Sequence, residues 1–193
     1  MPIGQAKFGL LGGVADLGKL ELIETQTVSS VSQVDFTSIS ESTYNVHFAT
    51  LNNISANSSG YPNTSQVRLR VSDDGGSTYE SGASDYQYVF QFVKTDGTAG
   101  ERRDTANTDM LLTGRATNTN EVINAYVYLY NLGDSAKYSF ATHHQSIGSD
   151  EETMFGSQVY TTASTINAIR FFISGFTMSG DISLYGICLL YTS

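Results

Sequence analysis

Apolar side chains recur at every second position through much of the chain. Residues 31–39 set Val34, Phe36 and Ser38 on one side and Gln33, Asp35 and Thr37 on the other. Residues 43–51 align Tyr44, Val46, Phe48 and Thr50. Residues 66–72 alternate strictly, with Val67, Leu69 and Val71 directed inward and Arg68 and Arg70 outward. A period of two marks a strand whose two faces meet different surroundings. Weaker or more aromatic versions of the pattern occupy 20–28, 84–94, 121–132, 137–145, 155–162, 166–174 and 180–191. No segment holds a helical period over three turns.

Turn formers separate these runs. Residues 52–65 read as a loop, and 148–153 as an acidic turn. Asp73-Asp74-Gly75-Gly76 is a hairpin signal, Gly75 and Gly76 supplying positive φ, with 77–79 returning as a strand. Gly82 is expected to do the same in the next turn. Residues 95–107 are polar and predict an exposed loop. About ten strands at this spacing give an all-β chain: a two-sheet antiparallel β-sandwich, jelly-roll-like, with a closed barrel as the second architecture the spacing allows.

Residues 1–18 follow neither period. Glycines interrupt them, yet Phe8, Leu10, Leu11, Val14 and Leu17 are apolar. This predicts an extended N-terminal arm (1–18) ahead of a sandwich domain (19–193). The arm should lie on its own sandwich or on a neighbouring subunit, so Phe8, Leu10, Leu11 and Val14 are candidate interface residues. The short apolar stretch at 8–15 lacks the cleavage pattern of a signal peptide.

Composition sharpens the picture. Twelve Tyr and ten Phe with no Trp, 18 Gly and only two Pro suit strands joined by turns. Charged residues are 15% of the chain, against about 25% in an average domain. Ten Lys and Arg against 19 Asp and Glu leave a formal charge of −9. Nucleic acid is not the expected partner, because phosphate binding needs a basic stripe. Nor is an anionic membrane surface.

Candidate chemistry is sparse. One cysteine, Cys188, cannot form an intrachain disulfide and reads as a small buried hydrophobe. His143 and His144 are adjacent, so on a strand they face opposite ways and cannot easily share a metal. Asp73-Asp74 reads as a plain turn, and 150–152 as a solvated acidic loop. No nucleophile elbow, phosphate loop or Cys-rich metal motif occurs. No catalytic, cofactor-binding or metal-binding residue is expected, and the chain is not read as an enzyme. Tyr126, Tyr128 and Tyr130 share one strand face opposite Val127 and Leu129. That aromatic stripe is either core or interface, with sugar stacking as a lesser alternative. In the last strand both faces turn apolar from about 184, as in a strand buried on both sides, and Gly186 would let a bulky neighbour approach.

Three runs carry a family resemblance. VRLRVSDDGGSTYESGASDYQY (67–88) resembles the LRxSxDGGxTxxSGxSxY segment of tailed-phage virion β-sandwich structural proteins. INAIRFFISGFTMSGDISLYGI (166–187) is similar to their IxxIRFxxSxGxFxxGxxxLYGI ending. VSQVDFTSISESTYNVHFATLNNISA (31–56) resembles their opening strands. The similarity spans roughly 28–187, with a shorter loop than usual between Ile173 and Phe176. It implies a structural role in the virion, with no shared catalytic residues. The expected function is a capsid decoration or cement protein on the outer surface of the head. Its implied partners are further copies of itself, as a homotrimer, and the major capsid protein. The alternative is a tail or fibre component that binds a host-surface glycan or receptor.

Overall fold

A computed structural model describes residues 19–57, 66–114, 122–147 and 152–187, and the predicted arm lies outside them. Twelve strands follow in order: β1 (Leu20–Val31), β2 (Gln33–Phe36), β3 (Val46–Asn57), β4 (Val67–Ser72), β5 (Tyr86–Val93), β6 (Ala99–Asn107), β7 (Met110–Leu111), β8 (Ile123–Tyr130), β9 (Ser139–Ile147), β10 (Glu152–Tyr160), β11 (Ala168–Ile173) and β12 (Thr177–Ile187). They form two antiparallel sheets. One has eight strands in the order β1-β12-β3-β8-β9-β10-β5-β6, and the other four in the order β2-β11-β4-β7. The all-β sandwich expected from the alternation is the fold.

The core lies between the sheets. Val34 and Phe36, Val67, Leu69 and Val71, and Ile169 and Phe171 descend from the small sheet. Ala49 and Leu51, Val127 and Leu129, and Ile182 and Leu184 rise from the large one. Phe36 meets Phe171 edge to face, with ring centroids 6.0 Å apart. A second, smaller cluster of Phe90, Leu111 and Met154 lies under β5 and β10, where the short β7 reaches across.

Several expectations need correction. Residues 99–107, read as a loop, form edge strand β6, whose polar side chains reflect exposure rather than lack of structure. β3 continues to Asn57 through a run of turn formers. A bulge absorbs Asn53, whose φ is +53°, and the Asn124 side chain caps its N–H at 2.9 Å. Residues 77–79 do not return as a strand. Gly75 and Gly76 do take positive φ, +75° and +87°. Gly82 does not, and its N–H donates to Asp85 Oδ2 at 2.5 Å instead. β12 lies between β1 and β3, one strand from the edge. Its inward residues Ile182 and Leu184 are buried while Tyr185 and Ile187 on the other face are half-buried, so only one face is in the core. Gly186 does admit a bulky neighbour: a Cβ there would lie 2.3 Å from the Tyr44 ring.

Candidate functional site: an apolar outward sheet face

The outward faces of the two sheets differ in kind. On the small sheet, Arg170 donates two bonds to the Asp35 carboxylate, at 2.6 and 2.7 Å, and lies 3.9 Å from the centre of the Tyr79 ring. Arg70 covers Phe172 at 4.8 Å, and Arg68 pairs with Asp109 at 2.7 Å. Charges and rings there satisfy one another within the chain.

The outward face of the large sheet is built differently. The pairing register aligns its side chains in rows across the strands. One row runs Leu22, Tyr185, Phe48, Tyr128, Thr142, Ser157, Val89 and Arg103. The row beside it runs Leu20, Ile187, Val46, Tyr130, Phe140, Val159 and Gln87. On the other flank run Thr25, Ser183, Thr50, Tyr126, His144, Phe155, Gln91 and Glu101. In these three rows the only Asp, Glu, Lys or Arg residues are Arg103 and Glu101 on the edge strand β6. Their N···O distance is 3.8 Å.

Eight large hydrophobic side chains are exposed among the described residues. Tyr138 precedes β9. The other seven, Leu20, Leu22, Val89, Val93, Tyr126, Phe140 and Phe155, all belong to this outward face. Exposed apolar residues scattered singly are ordinary; a contiguous patch marks a contact surface.

Near the middle of the face is an open groove of about 650 Å³. Tyr126, Tyr128 and Tyr130 form one wall and Val89 and Gln91 the other, three strand spacings or about 14 Å away. Small hydroxyl residues, Thr142 and Ser157, make the floor, and His144 and Phe155 close one end. The rings brace one another: Phe48 and Tyr128 centroids are 4.7 Å apart, and Tyr126 and His144 5.4 Å. His144 Nε2 lies 3.1 Å from the Thr153 hydroxyl, and Tyr130 Oη 3.3 Å from that of Thr142. A second depression of about 320 Å³ adjoins it and shares Val89 and Ser157.

The structure brings Tyr126, Tyr128 and Tyr130 together on this face. The reading that put them in the core is overturned, because Val127 and Leu129 of the same strand fill it. Phe8, Leu10, Leu11 and Val14 lie outside the described residues, as does Cys188. His143 and His144 diverge as their spacing requires. His143 is buried, and burial first, then the neighbouring His144, lowers its pKa to about 4. Asp74 accepts from the Thr78 N–H at 2.9 Å, the Thr78 hydroxyl at 2.7 Å and Ser72 Oγ at 2.8 Å. These bonds, Thr78 foremost, hold its carboxyl down at about 2 and make it a staple of its own turn. Glu152, taken for part of an acidic loop, opens β10 instead. Among the described residues no group of three or more His, Cys, Asp and Glu is placed to hold a metal. Sequence reasoning missed Phe140, Phe155 and Val89 as members of the face. Each adjoins a buried residue of the inward set, Ala141, Met154 or Phe90, and only the register shows that the three share the outward face.

No family model matches the chain. No curated protein matches it either. Among solved structures it is similar to peanut lectin in complex with a 9mer peptide, with a TM-score of 0.35 and 12% identity over 90% of this chain and 91% of the lectin chain.

Proposed function

We propose that the chain is a non-enzymatic structural subunit of a tailed-phage virion, a capsid decoration or cement protein. It associates with itself, as a trimer, and with the major capsid protein through the outward face of the eight-stranded sheet. The observation that carries this reading is the collection of seven exposed apolar side chains on one face with almost no charge. The resemblance over roughly 28–187 supplies the virion context. Burying such a face removes apolar area from water at about 25 cal/mol per Å², summed over many copies around a shell. The formal charge of −9 suits a position on the outer surface of the head, away from packaged DNA. Gold-labelled antibody on intact virions, viewed by electron microscopy, tests the placement. Label spread evenly over the head is the expected result, and label confined to the tail overturns it.

A second reading is favoured by the groove itself. Thr142, Ser157, Gln91 and His144 set hydroxyl, amide and imidazole groups beside Tyr126 and Phe155. A pyranose ring presents an apolar C–H face and a rim of hydroxyls, which this mixture matches. On this reading the chain is a tail or fibre component that binds a host-surface glycan. A glycan array distinguishes the two: binding abolished by Tyr126→Ala favours the tail reading, and no binding to any glycan excludes it.

A further inference from the structure

Two adjacent rows of the outward face, the row of Leu22 and the row of Thr25, complement each other in size. On β10 the first row holds Ser157 and the second Phe155. On β9 they hold Thr142 and His144. On β3 they hold Phe48 and Thr50, and on β12 Tyr185 and Ser183. On each of these strands one row is bulky where the other is small. β8 carries a tyrosine in both, Tyr128 and Tyr126. At the far end, β6 gives Arg103 to the first row and Glu101 to the second, so the two charges are opposite in sign.

A two-fold axis running across the strands, between these two rows, turns each row of one copy onto the other row of a second. It sets the partner's Phe155 over Ser157 and the partner's His144 over Thr142. Ser157 and Thr142 are the floor of the groove, so the groove is the space that those two side chains fill. The same axis sets Arg103 against the partner's Glu101, twice by symmetry. Asp181 lies a row further out, where the Thr27 hydroxyl donates to it at 2.6 Å. A rotation preserves the hand of a sheet's twist, so two copies related in this way stay in contact across their width. Sheets packed face to face lie about 10 Å apart, with strand directions within about 30° of each other. Eight strands at about 4.8 Å and three rows at about 7 Å make a face of roughly 38 by 20 Å. That is on the order of 800 Å² on each copy, the area a stable complex buries.

We propose that two free copies of the chain pair face to face about this axis, bulky positions of each seated on small positions of the other. The exposed apolar side chains supply the attraction. Arg103 and Glu101, at the rim, set the register rather than the strength. This pairing rests on the reading of the outward face as a contact surface, and it describes the free chain, before a shell contact replaces it.

Sedimentation equilibrium of the full chain at low ionic strength should show dimers. Arg103→Glu and Glu101→Arg, at side chains 79% and 59% exposed, should leave the thermal midpoint unchanged. Each should weaken pairing about threefold or more, because each places like charges opposite one another. Glu101→Arg is the sharper of the two: it makes the chain less negative, so on net charge alone it would tighten pairing. An equal mixture of the two variants, or the double variant Arg103→Glu/Glu101→Arg, should restore the dimer. Ser157→Phe fills the hole and should weaken pairing about tenfold, and adding Phe155→Ser should recover it. Single copies or trimers of the unaltered chain overturn the proposal. So do a mixture that pairs no better than either variant alone and a Glu101→Arg chain that pairs more tightly. Failure of the assembly reading looks different: two-fold dimers in solution with label confined to the tail sink that reading and leave this one standing.

Discussion

Tyr86 shows how one polar atom ties the fold together. Its ring is fully buried beside Tyr160, with centroids 5.4 Å apart. Its hydroxyl accepts from the Val71 N–H at 3.1 Å and donates to the Glu80 carbonyl at 3.0 Å. Burial raises its pKa, so it stays a donor. Tyr86→Phe keeps the ring but strands the Val71 N–H, and should cost about 1–3 kcal/mol in a urea titration. His143 makes a second residue-scale prediction. Its Nδ1 accepts from Gln158 Nε2 at 3.3 Å, which requires the neutral ring. His47, buried with Nε2 donating to the Ile39 carbonyl at 2.7 Å, is also held below its usual value by burial. For both, the unfolded chain takes up a proton near pH 6.5 that the folded chain refuses. Stability is therefore full above that pH and falls as the pH drops toward about 4, where His143 alone accounts for about 3 kcal/mol. Unfolding midpoints between pH 7.5 and 4.5 should show this decline, and His143→Leu should flatten it. An equally steep decline in that variant would remove His143 as the cause.

At the scale of elements, the sequence reading succeeded where a strand has one polar face and failed where it has none or only polar ones. β4 was legible because Val67, Leu69 and Val71 are core while Arg68 and Arg70 are held in ion pairs outside. β6 was not, because a terminal strand whose side chains are mostly exposed shows no apolar alternation: Glu101, Arg102, Arg103 and Asp104 border the sheet rather than mark a loop. β8 was legible as a strand but not in its orientation. Tyr126, Tyr128 and Tyr130 are as apolar in pattern as Val127 and Leu129, and only the position of the small sheet decides which set is covered. Gly186 was legible in purpose, though not in partner. The partner is Tyr44, whose hydroxyl donates to Glu21 at 2.7 Å and so closes the start of β1. Gly186→Ala would drive a methyl into that ring and separate β12 from its cover. Overpacking of this kind should cost about 1–3 kcal/mol and be visible as a lowered thermal midpoint. An unchanged midpoint would mean that Tyr44 swings away freely.

Among the described residues one sheet face satisfies its own charges and the other exposes apolar side chains, and the formal charge of −9 opposes association between copies. These features predict a joint dependence on salt and on the groove. At low ionic strength the formal charge of −9 on each copy repels the next, while the outward face contributes apolar attraction that salt barely touches. Raising salt to about 0.5 M should therefore tighten self-association, the reverse of an interface held by ion pairs. Phe155 is the sharpest probe, being 47% exposed at the end of the groove with no role in the core. Phe155→Lys should leave folding stability within about 0.5 kcal/mol, as at other exposed sites. It should also weaken association at least about tenfold, because it places an unpaired charge inside a desolvated contact. Sedimentation equilibrium across a salt series measures both effects on one sample. Association that weakens with salt, or that Phe155→Lys leaves unchanged, would move the contact to the paired charges of the small sheet, where Arg170→Ala becomes the variant to make.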